Sequence, residues 1–386
     1  SDTLESIKRQ TMDLKKIHVC LGMEAREKEA NAKSKELEAR YKGVFGSLFT
    51  TFHPIIEGDV AGKSSNEAYA ARESHKLLIE KKKIDIDYLT VSSVDADTLF
   101  DEQYFAYLSY MFLKCEHPYL TFWQSANVNY NNFWKVPAFV RIMAFFGSLW
   151  RSAMLVMGLR LIPNSTYSLS FKLIKNIGYW DVDVIPEDYR VFFKAFYLNG
   201  GKVHVEPMFL KTSMDIAQST TYWKSLKSKF DQERRWSWGI ADDAVYLRWW
   251  LTVKNIPFWK KTVTLSNVMM DHILWPVNWF IITISANVIV ILNPAFSRTS
   301  LGYNLPRLSS FILTICIVSM IVMLYVDYTM RSKKFPQAPL WKQALFLLEL
   351  FLLPVAGFFL GSLPALISQV QLILGKRLEY KVTEKV

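Results

Sequence analysis

The chain has 386 residues, enough for two domains and a sizeable core. Its composition is 51% hydrophobic and 15% aromatic with a formal net charge of +11, unusual for a wholly soluble enzyme and expected of a membrane protein with a cytoplasmic part. Cys20, Cys115 and Cys316 are widely spaced and form no C-x-x-C pair, so neither a disulfide framework nor a zinc site follows from them. No zinc-finger or RNP-like signature directs the basic excess to nucleic acid.

Ser1 to Ile7 reads as a helix N-terminus, with Glu5 three residues after Asp2 as a capping pair. A parallel α/β unit needs a strand before that helix. The chain is therefore expected to be a fragment cut just after its first strand, and inactive as it stands. Lys16–Met23 reads as a short strand ending at Glu24, residues 26–42 as a charged, solvated helix, and Val44–Thr51 as another strand. This alternation predicts a doubly wound α/β sheet. Gly62-Lys63-Ser64-Ser65 opens the next helix after a loop. The glycine that a phosphate loop requires would fall at Glu57, so that motif fails. A lysine and free amides at a helix start remain suited to a diphosphate.

Ile84–Val94 is rich in β-branched and aromatic residues and predicts a buried strand, followed at once by Asp95 and Asp97. Ligands of open α/β sheets bind beyond the carboxyl ends of the strands. Side chains two apart on an extended segment point the same way. Two carboxylates so aimed suit Mg²⁺ or Mn²⁺ holding a diphosphate, although aspartate is also common in plain solvated turns. Residues 137–162 are apolar but carry Arg141, Arg151 and Arg160, which predicts an amphipathic helix on the sheet or the membrane surface. Ser168–Ile177 reads as a helix broken by Gly178-Tyr179-Trp180-Asp181, an aromatic turn placed to meet a sugar. Pro186-Glu187-Asp188 opens a helix, and Lys202–Pro207 reads as a strand. In the helix over 225–238, Gln232, Arg235 and Trp236 share one face at i, i+3 and i+4. There a guanidinium beside an indole can clamp a phosphate and stack a sugar.

The ordered set Glu24, Gly62-Lys63-x-x-Asn66, Asp95-x-Asp97, Glu187-Asp188 and Gln232-x-x-Arg235-Trp236, followed by apolar spans, resembles the membrane-embedded family-2 glycosyltransferases. This is the group of cellulose, hyaluronan and chitin synthases. The resemblance runs along the whole chain and implies a GT-A domain binding a nucleotide-sugar, commonly a UDP-sugar. It implies Asp95 and Asp97 at a divalent cation, Lys63 and Asn66 at the nucleotide, and Asp188 beside Glu187 as the general base. Gln232, Arg235 and Trp236, with Trp180, would hold the leaving diphosphate and the acceptor. The sequence departs from the family at Glu24, where an aspartate is usual, and at Pro186, which replaces the threonine of a T-E-D motif.

Ile273–Asn293 and Leu308–Val326 are each about 20 apolar residues, enough to span roughly 30 Å of hydrocarbon. Leu345–Leu374, interrupted by Pro354 and Pro364, reads as one bent span or a span and an interfacial helix. Arg331, Lys333, Lys334 and Lys342 place their loop, and with it the catalytic domain, on the cytoplasmic side of a plasma (inner) membrane. Lys376, Arg377, Lys381 and Lys385 form a basic tail. The expected division is 1–256, a cytoplasmic GT-A domain lacking its first strand. Residues 257–386 follow as an interfacial helix with two to three transmembrane helices and the tail. The expected activity is inverting, metal-dependent transfer from a nucleotide-sugar to a growing polysaccharide. The alternatives are single-sugar transfer to a lipid acceptor and a non-catalytic transporter or scaffold.

Overall fold

The computed structural model describes residues 1–331, 338–376 and 378. Lys333, Lys334 and the tail residues Arg377, Lys381 and Lys385 lie outside the described residues. Helix α1 (Asp2–Lys8) leads to strand β1 (His18–Glu24), helix α2 (Ala30–Arg40), strand β2 (Ser47–His53) and helix α3 (Lys63–Ser74). Strands β3 (Thr90–Ser93) and β4 (Leu99–Phe100) are short. Helix α4 (Tyr104–Lys114), strand β5 (Thr121–Val128), helix α5 (Ala138–Met154), strand β6 (Tyr167–Ser170) and helix α6 (Phe171–Asn176) follow. Helix α7 (Glu187–Leu198), strand β7 (His204–Ser213), helix α8 (Tyr222–Ser237) and helix α9 (Asp243–Thr252) complete the α/β part.

The strands form a parallel pair, β1-β2, and a mixed five-stranded sheet in the order β3-β6-β5-β7-β4. The larger sheet of this α/β fold is mixed, with β6 antiparallel to both neighbours. The segment predicted as a helix from Ser168 begins as this strand, because pairing to β3 and β5 outweighs local propensity. Ser170 Oγ then accepts from Lys172 N at 3.1 Å and starts α6. The strand predicted over Ile84–Val94 shortens to β3 because Asp85 caps a 3-10 turn, accepting from Asp87 N at 2.9 Å. Strand β5 escaped the sequence reading. It is buried throughout yet carries Gln124, Ser125 and Asn127. Gln124 Nε2 donates to Thr166 O at 3.1 Å and Asn127 Nδ2 to Asn164 O at 2.6 Å, satisfying amides that break an apolar pattern.

Lys82, ahead of β3, lies near enough to His18 at the start of β1 to join burial in lowering the imidazole pKa. Glu24 and Asp95, at the two far ends, line one cavity of about 1470 Å³. The facing edges of β1 and β3 also border it, and neither carries a further strand among the described residues. Helix α1 starts at the Asp95 end of this gap, where Thr3 Oγ1 donates to Ala96 O at 2.6 Å.

Three helical stretches are long and apolar enough to cross a membrane: α10 (Phe258–Leu292), α11 (Ser300–Met330) and α12 (Leu340–Ile373). The segment expected as a separate interfacial helix is continuous with the first of them. Helix α12 passes through 3-10 and π turns around Pro354 and Pro364, which remove backbone donors. Helix α5 packs against β5 and against the third apolar helical stretch. Phe145 and Val140 pack with Phe346 and Leu360 of α12 in one core, and Arg141 pairs with Glu349 at 3.1 Å. The end of α11 is latched to the α/β part as well. Arg331 lies 3.5 Å over the Phe133 ring and 2.7 Å from Asp327, whose Oδ1 accepts from Tyr130 Oη at 2.9 Å.

Candidate active site

The large cavity opens at the carboxyl ends of β1 and β3, and four chain segments meet on its floor. Gly62 adopts φ 152°, a conformation that L side chains rarely take, and this turn starts α3 with Lys63 aimed inward. Lys63 Nζ stands 2.9 Å from Asp95 Oδ1 and 2.8 Å from Glu187 Oε1, and donates to Ser165 O at 2.7 Å. Burial opposes its charge, but Asp95, Glu187 and Glu67 together hold its pKa well above the ordinary value.

Asp188 sits in the first turn of α7. Its Oδ2 accepts from Ser165 N at 3.1 Å and its Oδ1 from Tyr189 N at 2.9 Å. Burial, reinforced by Glu187, pushes its carboxyl up to about 7, against Lys63 and those two N–H groups. A carboxylate titrating near neutrality is poised to take a proton from a hydroxyl. Ser165 joins the parts: besides these bonds, its Oγ donates to Asp95 Oδ2 at 2.6 Å. It does so at φ 55°, a backbone state costing about 1–3 kcal/mol for a non-glycine residue. Nothing in the sequence singled it out.

Helix α8 lines another wall with Gln232, Arg235 and Trp236, the last 39% exposed. Behind them Lys229 pairs with Glu233 at 2.6 Å and donates to Gln232 Oε1 at 3.1 Å, which fixes the amide. The family model described as "Glycosyl transferase family group 2" matches residues 91–360, well over half of the chain. The chain belongs to this glycosyltransferase family. Its fold is also that of a mannosyltransferase from Pyrobaculum calidifontis, PcManGT, solved in complex with GDP-Man and Mn²⁺. The two share 13% identity over 97% of this chain and 83% of that one, with a TM-score of 0.52. Among curated proteins no relative matches.

All the other residues nominated from the glycosyltransferase sequence reach the same cavity. Asn66 Nδ2 donates to Gly22 O at 2.9 Å, while its buried Oδ1 has no hydrogen-bond partner among the described residues. Glu24 is paired with Arg26. Trp180 is only 3% exposed, and its Nε1 donates to Tyr167 Oη at 2.7 Å; it is floor and core rather than an open stacking platform. Asp97 Oδ2 accepts from Asp215 N at 2.8 Å.

For a divalent cation the donor set is Asp95, whose oxygens meet Lys63 and Ser165, and Asp97, whose Oδ2 accepts from Asp215 N; a bound cation would share or replace those contacts. Among the described residues no group of three or more His, Cys, Asp and Glu converges as a metal cage. Mg²⁺ and Mn²⁺ need none where one or two carboxylates act with substrate phosphates and water, so the residues fit such an ion.

Further wall residues had no local signature. Arg151 of α5 donates through Nε to Asn127 O at 2.8 Å and through its terminal nitrogen to Asn129 Oδ1. Burial lowers its pKa to about 10, with Glu233 opposing. From there a side chamber of about 300 Å³ continues between α5, α8 and Trp275 of α10, walled by Met143, Phe146, Trp150 and Trp236.

Proposed function

We propose that this glycosyltransferase moves a sugar from a nucleoside-diphospho-sugar to a membrane-borne acceptor with inversion at the anomeric carbon, aided by Mg²⁺ or Mn²⁺. One observation carries the reading: Asp188, a buried carboxyl held by the Ser165 and Tyr189 N–H groups, shares a cavity with Asp95, Arg235 and Trp236. The acceptor hydroxyl attacks the anomeric carbon and gives its proton to Asp188. The bond from that carbon to the diphosphate breaks, and the leaving charge is met by Arg235. Asp95 and Asp97 would hold the cation, which when bound neutralises the diphosphate. A single carboxylate acting from the face opposite the leaving group supports inversion.

Asn66 Oδ1, an unpaired buried acceptor, supports a nucleotide at the β1 side. The donor base is taken as uracil from the resemblance, with guanine the second choice after the GDP-Man of the structural neighbour. The synthase resemblance favours a growing polysaccharide as acceptor, and the side chamber, polar on its Arg151, Lys229 and Glu233 side and apolar on the side that reaches Trp275, favours a lipid-linked one. We also place residues 1–256 on the cytoplasmic side of a plasma membrane, which the basic Arg331 and Lys342 support.

The test is a panel of UDP- and GDP-sugars with full-length protein, membrane lipids and Mg²⁺ or Mn²⁺. Sugar retained in a polymer or lipid with release of nucleoside diphosphate is expected. Failure of every donor would remove the transferase reading. A ladder of long products and a single lipid-soluble product distinguish the two acceptors.

A further inference from the structure

The first membrane helix turns one stripe towards the catalytic cavity. Val268, Asp271, His272 and Trp275, spaced i, i+3, i+4 and i+7, all line it. His272 stands apart among them. Its side chain is 7% exposed, and its Nδ1 lies 2.8 Å from Oδ1 of Asp243, at the start of α9. Nε2 has no hydrogen-bond partner among the described residues and is not sealed away from the cavity. A Cβ built on Gly239 would stand 3.4 Å from Nε2 and 3.5 Å from Pro186 Cγ, so the glycine leaves room for a group of about one heavy atom between them. Pro186 precedes Glu187 and Asp188, and the Tyr189 ring lies 6.3 Å from the imidazole. The imidazole thus flanks the helix turn that carries the base.

A carboxylate can only accept, so Asp243 takes the Nδ1 proton of the ring and leaves Nε2 to bond a ligand. A hydroxyl, which both donates and accepts, suits that nitrogen. The surroundings select against an anion. Asp243 is paired with it, and Asp271, tied to Arg160 at 2.5 Å, lies beside it on the same helical stripe, while the turn leading into Glu187 and Asp188 starts at the neighbouring Pro186. We propose that the Asp243–His272 pair is an acceptor subsite, in which His272 Nε2 hydrogen-bonds a sugar hydroxyl next to the one that Asp188 deprotonates. The acceptor is therefore a glycan terminus, whether polymer-borne or lipid-linked, and not a bare phosphate headgroup. This rests on the transferase reading above.

The test uses full-length protein in detergent, with the preferred nucleotide-sugar as donor and octyl glycosides or decyl phosphate as acceptor probes. For one lost hydrogen bond, His272→Phe is expected to raise the KM for octyl glycosides by about tenfold. The donor KM and the slow hydrolysis of donor by water should stay unchanged. His272→Gln, which keeps an oxygen near the Nε2 position, recovers part of the loss, and Asp243→Asn raises the same KM through loss of the ring's orientation. An acceptor KM within twofold of wild type in His272→Phe overturns the proposal. So does a parallel fall in donor hydrolysis, which marks a structural role, or preferential use of decyl phosphate. Wild-type protein that neither hydrolyses nor transfers any sugar would instead remove the transferase reading itself.

Discussion

Asp188→Asn separates the proposed base from the rest of the site. The two oxygens of Asp188 receive different N–H groups, Ser165 at 3.1 Å on Oδ2 and Tyr189 at 2.9 Å on Oδ1. An amide has one oxygen, so one of these donors would face an NH₂ group. A buried donor left unmade costs about 1–3 kcal/mol, visible as a lower melting temperature. The kinetic loss is larger. A positioned general base contributes roughly 10²–10⁴-fold, or about 2.7–5.4 kcal/mol of barrier. Release of nucleoside diphosphate, measured with acceptor and metal against pH, is the assay. With the carboxyl pushed up to about 7, wild-type activity should climb as Asp188 loses its proton and level off above that value. The variant should lose both the rate and this step, with the donor KM changed by no more than about threefold. An Asp188→Asn protein that releases nucleotide at the wild-type rate, or keeps the same pH step, refutes the role.

Other outcomes follow from the same geometry. Lys63→Met strips Asp95 and Glu187 of their shared cation, and removing one partner of such a pair costs up to about 3–5 kcal/mol, less here because Lys63 is partly exposed. Because Lys63 also lowers the Asp188 pKa, the pH midpoint of any remaining activity should move above 7; an unmoved midpoint would contradict the coupling. Chelation with EDTA should abolish transfer, Mn²⁺ or Mg²⁺ should restore it, and Asp97→Asn should raise the cation concentration required. Transfer that persists in EDTA would argue against the cation. Arg331→Met leaves the buried Asp327 without its 2.7 Å partner and should lower the melting temperature in detergent, by about 3–5 kcal/mol of stability, with Arg331→Lys recovering part.

The parts of the site that were legible in the sequence are those whose chemistry is local. Asp95-x-Asp97 after a β-branched run, Gly62-Lys63 at a helix start and Gln232-x-x-Arg235-Trp236 on one helical face each carry their geometry in their spacing. All of them reach one cavity. Ser165 was invisible because its importance lies in three bonds to residues far along the chain and in a positive φ that no motif announced. The Asp243–His272 pair was hidden for a similar reason, since it joins the α/β part to a helix that the sequence marks only as apolar. In the fold, β1, β2 and the candidate spans followed from apolar runs. Strands β5 and β6 did not, because their serine, glutamine and asparagine side chains are satisfied by tertiary hydrogen bonds that local pattern cannot show. Trp180 illustrates the reverse error: an aromatic turn suggested a sugar platform, and the indole is instead held in the core by Tyr167.

The most direct test of the account is the anomeric configuration of the product formed from an α-linked nucleotide-sugar, read by NMR before any product equilibrates. Direct attack by an acceptor hydroxyl deprotonated by Asp188 predicts a β-linked product. An α-linked product would require two displacements or a different arrangement of groups, and would contradict the role assigned to Asp188.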